Sequence, residues 1–303
     1  MITSIADAGP GEHVEAMVRL QRAMAAINKL DVAEARDAMG SMSDEEPAVA
    51  RMFALVAIYE GNCDKAAELL IRPSVAAGDG ALLAEVARGC ARATAGAMMV
   101  HDPRGVDVRV KDDEDAPLVP FVADIAEKSL AALERDLDVK LPRPLRIELV
   151  RDHYTLSEMT GLPEQAAQTT GTVAIAKWGC VTMLSPRAVP HGYPWADSLM
   201  HELTHLAVTR ASADRAPLWL QEGIAKREEL RWRDPLPFDA FPSADAIAQS
   251  GFKKNLATPI DDLGPSLAML PSRSNEQPLR MQRYRASLGT GHLKSAAMRC
   301  QSC

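Results

Sequence analysis

Two histidines four residues apart, with a glutamate directly after the first, stand out in the segment WADSLMHELTHLAVTR. A helix advances about 100° per residue, so residues four apart lie about 40° apart on one face. His201 and His205 can therefore point toward one metal ion, and their neutral imidazoles suit Zn²⁺. Glu202 is displaced by about 100° from His201, beside a water that the metal would hold. Zinc lowers the pKa of such a water and the carboxylate takes its proton, so the pattern predicts a hydrolytic centre.

The H-E-x-x-H pattern fixes only three letters, so a metal site also requires a buried helix and a third ligand. The helix is predicted to be buried because apolar residues surround its polar ones: Leu199, Met200, Leu203, Leu206 and Val208. Histidine and glutamate side chains in a buried helix need partners or a metal ion. Glu222 follows in the apolar stretch WLQEGIA, and a His₂Glu set leaves the fourth zinc position for water. The alternative for Glu222 is an acid on the surface of a helix.

HELTH followed by PLWLQEGIA resembles the gluzincin group of zinc metallopeptidases, and within it the bacterial peptidase MA-like domains. GTVAIAKWGCVTMLSPRA and GYPW resemble the strand and loop that come before the zinc helix in that family. The resemblance spans roughly residues 106–270, and its motifs are specific together but weak singly. It implies a zincin-like fold, zinc bound by His201, His205 and Glu222, and Glu202 as the base in peptide hydrolysis. It also implies that the preceding strand pairs with an extended peptide substrate.

Zinc ligands in this family are often oriented by an acid four residues after the third ligand. The chain has Lys226 at that position, and Glu228 and Glu229 lie near it at different spacings. Asp197, four residues before His201, is another candidate for orienting a ligand. Its alternative role is to stabilise the N-terminus of the helix through the helix dipole.

Other side chains are candidates for contacting a substrate. Arg187, in SPRA, either binds a substrate carboxylate or forms a buried ion pair. Tyr193, in HGYPW, is a candidate for lining the entrance of the site. The family stabilises the oxyanion with a downstream Tyr or His, and after Glu222 the chain offers only Tyr284 and His292.

Residues 1–100 are predicted to be a helical region, because apolar residues recur at helical spacing. AMAAINKLDVAEARDAM (23–39) aligns with ALVAIYEGNCDKAAELL (54–70), so that Asp31 falls on Asn62. Each half resembles a tetratricopeptide-like helical hairpin, although that family repeats about every 34 residues. A plain helical bundle is the alternative. The helices predict a surface for a protein partner or a substrate.

Residues 101–270 are predicted to be a zincin-like α+β domain with a small mixed sheet and an HExxH helix. The predicted strands are 106–110, 141–150 and two within 170–186 that turn at Trp178–Gly179. The predicted helices are 116–137, 195–210 and 217–232, the last with Pro217 in its first turn.

Residues 271–303 are predicted to be an irregular tail, because its basic end RMQRYRASLGTGHLKSAAMRCQSC loses the apolar pattern. We hypothesise that the tail is read out of frame. Codons for PLRMQRYRASLGTG exist whose neighbouring frame encodes AAYAEVQSFVRYW, which is amphipathic and resembles the helix that follows LPS in this family. The nucleotide sequence tests this, and the hypothesis fails if no frame there encodes an apolar helix.

Composition limits the classes of function and the compartment. The formal net charge of −7 disfavours nucleic-acid binding, which needs a basic surface. The five cysteines are irregularly spaced and imply no disulfide framework, and the terminal C-x-x-C supplies only two ligands of a structural zinc site. MITSIADAGPGEH lacks the features of a signal peptide, and no run of about 20 apolar residues spans a membrane. These features predict a cytoplasmic protein, or an exported one if the true start lies upstream.

The sequence therefore predicts a zinc-dependent peptidase that acts on a peptide or protein substrate. The alternative is a catalytically impaired, peptidase-like scaffold that interacts through its helical repeats. The missing orienting acid and oxyanion donor favour this alternative, and the complete ligand set opposes it. A zinc hydrolase that acts on a non-peptide amide is a third hypothesis.

Overall fold

The N-terminal helical region forms as the apolar spacing predicts. The protein is described by a computed structural model that covers residues 10–235, with side chains from residue 13. The helices of this region are α1 (Pro10–Ile27), α2 (Val32–Met39), α3 (Pro47–Tyr59), α4 (Cys63–Leu69), α5 (Pro73–Ala76) and α6 (Gly80–Thr94). Their shared core is rich in alanine, which allows helices to approach closely.

The two aligned segments fold into two equivalent helical hairpins, α1–α2 and α3–α4. Asp31 and Asn62 occupy the same place in each, where the side chain accepts a hydrogen bond from the backbone N–H three residues later, at 3.2 Å in both. The aligned apolar residues are buried in both hairpins: Ala23, Ala26, Ile27 and Ala35 in the first, Ala54, Ala57, Ile58 and Ala66 in the second. This equivalence is local, and membership of the tetratricopeptide class stays a prediction.

The α+β class is confirmed, with a mixed five-stranded sheet in the described residues. The strands are β1 (Met98–Asp102), β2 (Val106–Val110), β3 (Leu145–Val150), β4 (Ala174–Lys177) and β5 (Cys180–Leu184). Their order is β1-β2-β3-β5-β4, with β2, β3 and β5 parallel and both outer strands antiparallel to their neighbours. The accompanying helices are α7 (Val119–Leu137), α8 (His153–Thr160), α9 (Glu164–Thr170), α10 (Trp195–Ser212) and α11 (Leu218–Glu228).

Three short elements differ from the sequence prediction. Strand β1 lies across the predicted boundary between the helical region and the α+β domain. The sequence does not predict it, because neither of its faces is buried and its residues do not alternate. Helices α8 and α9 were not predicted, since eight and seven residues are too few for a clear helical period. Asp152 caps α8 by accepting from the Thr155 N–H at 2.7 Å, and an aspartate at that position could have indicated the start of the helix.

The β4–β5 hairpin turns at Trp178–Gly179, as predicted. Both residues have positive φ, +55° and +69°, as in the turns that match the twist of a hairpin. The pairing leaves β4 at the edge of the sheet. Ala176 directs its backbone N–H away from β5, because that group donates to a side chain of α10. Every second residue of β4 therefore presents its backbone to the outer edge.

Helix α10 is buried against the sheet, as the apolar residues around its histidines predict. Leu199, Met200 and Leu203 are fully buried in a core formed by α7, α10 and one face of the sheet. Helix α8 packs on the opposite face, where Leu156 is fully buried with residues of β3 and β5. The sheet thus lies between helices, and α10 runs beneath its β4 edge.

A buried ionic cluster holds the helical region against the sheet. The Glu148 carboxylate, 2% exposed, lies 2.9 Å from Arg146 Nε and 3.5 Å from an Arg109 guanidinium nitrogen. Arg146 in turn donates to the carbonyl of Tyr59 at 2.8 Å, and Arg109 donates to the carbonyl of Gly61 at 2.9 Å. Both carbonyls lie at the C-terminal end of α3, where the helix dipole favours positive charge.

A disulfide between Cys63 and Cys90 joins α4 to α6, with their Cα atoms 5.4 Å apart. The irregular spacing of the cysteines did not indicate it. Cys180 is buried and free. Among the described helices, none is both long and apolar enough to cross a membrane. The predicted tail at 271–303, with Tyr284, His292 and the terminal C-x-x-C, lies outside the described residues.

Replacing the central carboxylate of the ionic cluster is expected to destabilise the whole described fold. Glu148→Gln leaves two arginines without their buried counter-charge, so the free energy of unfolding should fall by about 3–5 kcal/mol. Urea unfolding of the purified protein measures this. The control is Glu127→Gln, which breaks the exposed pair with Arg143 and should change the same quantity by less than about 1 kcal/mol. Equal effects of the two variants would contradict the assignment.

Candidate metal centre

Helices α10 and α11 bring the three predicted ligands together. The Nε2 atoms of His201 and His205 lie 3.2 Å apart, and each lies 3.6 Å from a different carboxylate oxygen of Glu222. Zinc bonds of about 2.0–2.2 Å in a tetrahedron place ligand atoms about 3.4 Å apart. Each imidazole nitrogen therefore lies near that edge length from the other imidazole nitrogen and from one of the two Glu222 oxygens, so the donor types and their spacing suit Zn²⁺.

A tight connection between the two helices places Glu222 against the histidines. Ala213 and Asp214 both have positive φ, +49° and +60°, which ends α10 and reverses the chain within a few residues. The buried Gln221 then donates from Nε2 to the carbonyl of Ala216 at 2.9 Å, which fixes the start of α11. The helix spans Leu218–Glu228 rather than the predicted 217–232, and Pro217 is its N-cap residue instead of lying in its first turn.

Carboxylates on both sides of His201 control its charge. Its Nδ1 lies 3.3 Å from Glu229 Oε2, on the side of the ring opposite the ligand atom. Burial alone would lower the pKa of His201, but the Glu222 and Glu229 carboxylates outweigh burial and raise it to about 10. Burial likewise opposes ionisation of both acids, yet their contacts with His201 keep the pKa of each below its usual value. Before a cation binds, His201 therefore carries a proton that the cation must displace, which makes metal uptake stronger at higher pH.

Glu229, rather than a residue at the position of Lys226, contacts the ring nitrogen of His201 that an orienting acid would contact. Lys226 instead donates to both Glu229 oxygens, at 2.8 and 3.0 Å, and so holds that carboxylate in place. Glu228 is fully buried on another side of the helix, close to Asp136 of α7. Residues seven apart lie within about 20° on a helix, so the spacing from Glu222 to Glu229 was a usable signal in the sequence.

Glu202 lies at the β4 edge of the sheet. One of its oxygens accepts a hydrogen bond from the Ala176 N–H at 2.6 Å. This bond joins the predicted base to the strand that the family resemblance assigns to substrate pairing. The carboxylate therefore has a fixed orientation beside the three ligands, all of which line one cleft of about 320 Å³.

The remaining predicted residues have intramolecular partners. Asp197 lines the cleft, but its carboxylate accepts from Trp232 Nε1 at 2.8 Å. Arg187 forms an ion pair with the buried Asp115 at 3.0 Å, the alternative that the sequence left open. Tyr193 donates to the backbone carbonyl of Leu184, and burial raises the pKa of its hydroxyl. Arg187 and Tyr193 are not among the residues that line the cleft.

The N-terminal helices also line this cleft, which the sequence did not indicate. Their contribution comes from the ends of α1 and α3: Ile27, Asn28, Leu30 and Tyr59. The facing wall includes β4, the turn at Trp178 and the α10 residues Leu206 and Thr209. The cleft is therefore built by both regions of the chain.

Comparisons with known proteins identify no relative: no protein-family model, no curated protein and no solved structure matches the chain significantly.

Removing the orienting carboxylate is expected to weaken metal binding without changing the ligands. Glu229→Gln takes away the charge beside His201 Nδ1, and the zinc dissociation constant should rise about 10–100-fold. Competition with a chromophoric chelator measures it. Glu68→Gln is the matched control, because Glu68 also pairs with a lysine three residues away but lies on α4. A dissociation constant that is unchanged in Glu229→Gln would remove Glu229 from the site.

Proposed function

We propose that the protein is a zinc-dependent peptidase in which His201, His205 and Glu222 hold the metal and Glu202 is the general base. The observation that carries this proposal is the convergence of His201, His205 and Glu222, which offer one ligand atom each within 4.8 Å of the others, with the Glu202 carboxylate held beside them by Ala176. The resemblance of HELTH and PLWLQEGIA to gluzincins gives the same residues the same roles.

The position of each side chain defines its role. Zinc bound here would supply Lewis acidity to a water and to the substrate carbonyl. Glu202 accepts a proton from the attacking water and passes it to the leaving amine, so that the peptide bond breaks with the charges balanced. Glu229 keeps His201 in the tautomer whose Nε2 faces the metal.

An extended peptide suits the geometry of the cleft. Strand β4 is at the edge of the sheet and its residues line the cleft. The Ala176 N–H is donated to Glu202, so a peptide would pair with the other outward-facing backbone groups of this edge. A peptide can add to such an edge through main-chain hydrogen bonds, which position its carbonyl without requiring a particular sequence. This placement supports a peptide substrate over a small non-peptide amide.

Two features favoured the scaffold alternative, the lack of an orienting acid and the lack of an oxyanion donor, and only the second still does. The orienting acid, displaced from its family spacing, is supplied by Glu229. The candidate oxyanion donors, Tyr284 and His292, lie outside the described residues. A protein that binds zinc stoichiometrically and hydrolyses no peptide would favour the scaffold, and one that cleaves only non-peptide amides would favour the third hypothesis.

Glu202→Gln is expected to abolish peptide hydrolysis while zinc content stays stoichiometric. The amide cannot accept the proton, and loss of a general base lowers kcat by about 10²–10⁴-fold. Hydrolysis of a peptide mixture followed by mass spectrometry, together with metal analysis, measures both quantities. Glu158→Gln, which removes an acid of α8 paired with Arg92, is the control and should retain activity. Absence of zinc from the wild type would refute the site itself.

We further propose that the protein works in an oxidising compartment. The Cys63–Cys90 bond supports this, because structural disulfides persist in secreted and periplasmic proteins and are rare in the cytosol. This favours the exported alternative over the cytoplasmic prediction.

In protein isolated from its native cells and alkylated at lysis, Cys63 and Cys90 are expected in one cross-linked peptide. Cys63→Ser should lower the free energy of unfolding by about 3 kcal/mol, because the closed loop no longer restricts the unfolded chain. Peptide mapping and urea unfolding measure these effects. Finding both cysteines alkylated without reduction would place the protein in a reducing compartment.

A further inference from the structure

The first helical hairpin and the β4–β5 hairpin each insert one large side chain into the other's core at one end of the cleft. Leu30 belongs to the helical region but packs in the apolar cluster of the sheet, α7 and α10. Trp178, at the tip of the β hairpin, packs in the cluster of the N-terminal helices. Both side chains are buried, with 6% and 8% exposure, and both line the cleft.

Leu30 adopts a backbone conformation for which the second hairpin uses glycine. The alignment that places Asp31 on Asn62 also places Leu30 on Gly61. In both turns this residue donates its N–H to the carbonyl three residues earlier, at 2.8 and 2.9 Å. The φ angle is +58° at Leu30 and +76° at Gly61. This left-handed region is strained for a leucine but not for a glycine.

The leucine is therefore not required by the turn itself. Gly61 has its own steric reason, since a Cβ there would lie 2.8 Å from the Arg146 guanidinium. Backbone strain of the kind found at Leu30 persists where the side chain is needed, and such positions cluster at ligand sites. A leucine at this position is therefore explained by what its side chain contacts, and not by the backbone conformation of the turn.

This end of the cleft lies close to the metal centre. Leu206 and Thr209 of α10, one and four residues after His205, line the same cleft as Leu30, and Arg210 of this helix donates to the carbonyl of Lys29 in the α1–α2 turn. Four residues of helix span about 6 Å, and an extended peptide advances about 3.3 Å per residue. A substrate side chain at this end therefore belongs to a residue within about two positions of the cleaved bond.

We propose that Leu30 and Trp178, with Ile27 and Tyr59, form a subsite for an aliphatic or aromatic side chain of the substrate. The N-terminal helices then select the peptide that the metal centre cleaves, and the inference rests on the proposed peptidase function. The occupant is a side chain of the substrate rather than a separate protein, because the subsite is continuous with the cleft that contains the zinc ligands. Burying an apolar side chain against these walls supplies the selectivity.

The test compares zinc-loaded wild type with Leu30→Gly, whose turn has the internal precedent of Gly61. A random peptide mixture first gives the cleavage sites, and the wild type is expected to prefer an aliphatic or aromatic residue at one position within two of the cut. Two peptides that differ only there, with Leu or Trp, then give the kcat/KM ratio. The enlarged subsite should raise the Trp-to-Leu ratio about tenfold or more. Leu30→Ala replaces Leu30→Gly if the latter is not recovered folded.

Leu69→Ala is the matched control, since Leu69 has the same 6% exposure and lies on α4, away from the cleft. It should leave the ratio unchanged. Hydrolysis without an apolar preference near the cut, or the same ratio in Leu30→Gly as in wild type, overturns the subsite and leaves the peptidase proposal intact.

Calorimetric binding separates the two proposals if the wild type cleaves nothing. Acetylated pentapeptide amides with a central Leu or Gly are titrated into zinc-loaded Glu202→Gln protein, with and without Leu30→Gly. The Leu peptide is expected to bind about tenfold more tightly than the Gly peptide, and Leu30→Gly should reduce this difference in affinity. That result supports the subsite even though the peptidase proposal fails. Equal binding of the two peptides overturns the subsite.

Discussion

The buried Glu148 carboxylate is the constraint on which the arrangement of the two regions depends. It pairs with both Arg146 and Arg109, and these arginines donate to carbonyls at the end of α3. Burying a charge is costly unless every partner is present, so this cluster tolerates one relative placement of helices and sheet. Tyr59, at the end of α3, is thereby held edge-on against Trp178, with ring centroids 6.0 Å apart.

With the two regions in this placement, residues of both line one cleft. Helices α10 and α11 carry the candidate ligands beside β4, and the ends of α1 and α3 line the same cleft. The helical region, which the sequence predicts as a surface for a protein partner or a substrate, lines the cleft itself. Loss of the docking interaction would therefore change the shape of the cleft as well as stability, because the cleft wall and the fold share the same contacts.

The metal centre depends on a different constraint, the reversal of the chain between α10 and α11. The histidines lie on one buried helix, and only the turn at Ala213 and Asp214 returns Glu222 to them. Glu229 then reaches the far side of the His201 ring. The Glu222 and Glu229 carboxylates flank the half-buried His201 imidazole and hold a proton on it until a cation replaces that proton, while Lys226 pairs with Glu229.

The sequence by itself determined the features that depend on short spacings. The period of four places His201 and His205 on one face, the apolar residues around them bury α10, and the alternation of residues 170–186 forms a hairpin. Glu222 was assigned as a third ligand from its apolar surroundings and the family resemblance. Short elements such as β1 and α8 were not predicted, because a few residues show too little periodicity to identify an element.

Only the tertiary structure decided the contacts between residues far apart in the chain. Arg187 pairs with Asp115, and Cys63 forms a disulfide with Cys90. Leu30 lines the wall of the cleft. Local propensity cannot encode such pairs, because each is fixed by packing across elements. The sequence therefore specified the reactive groups, while the docking of helices on the sheet specified the space in which they act.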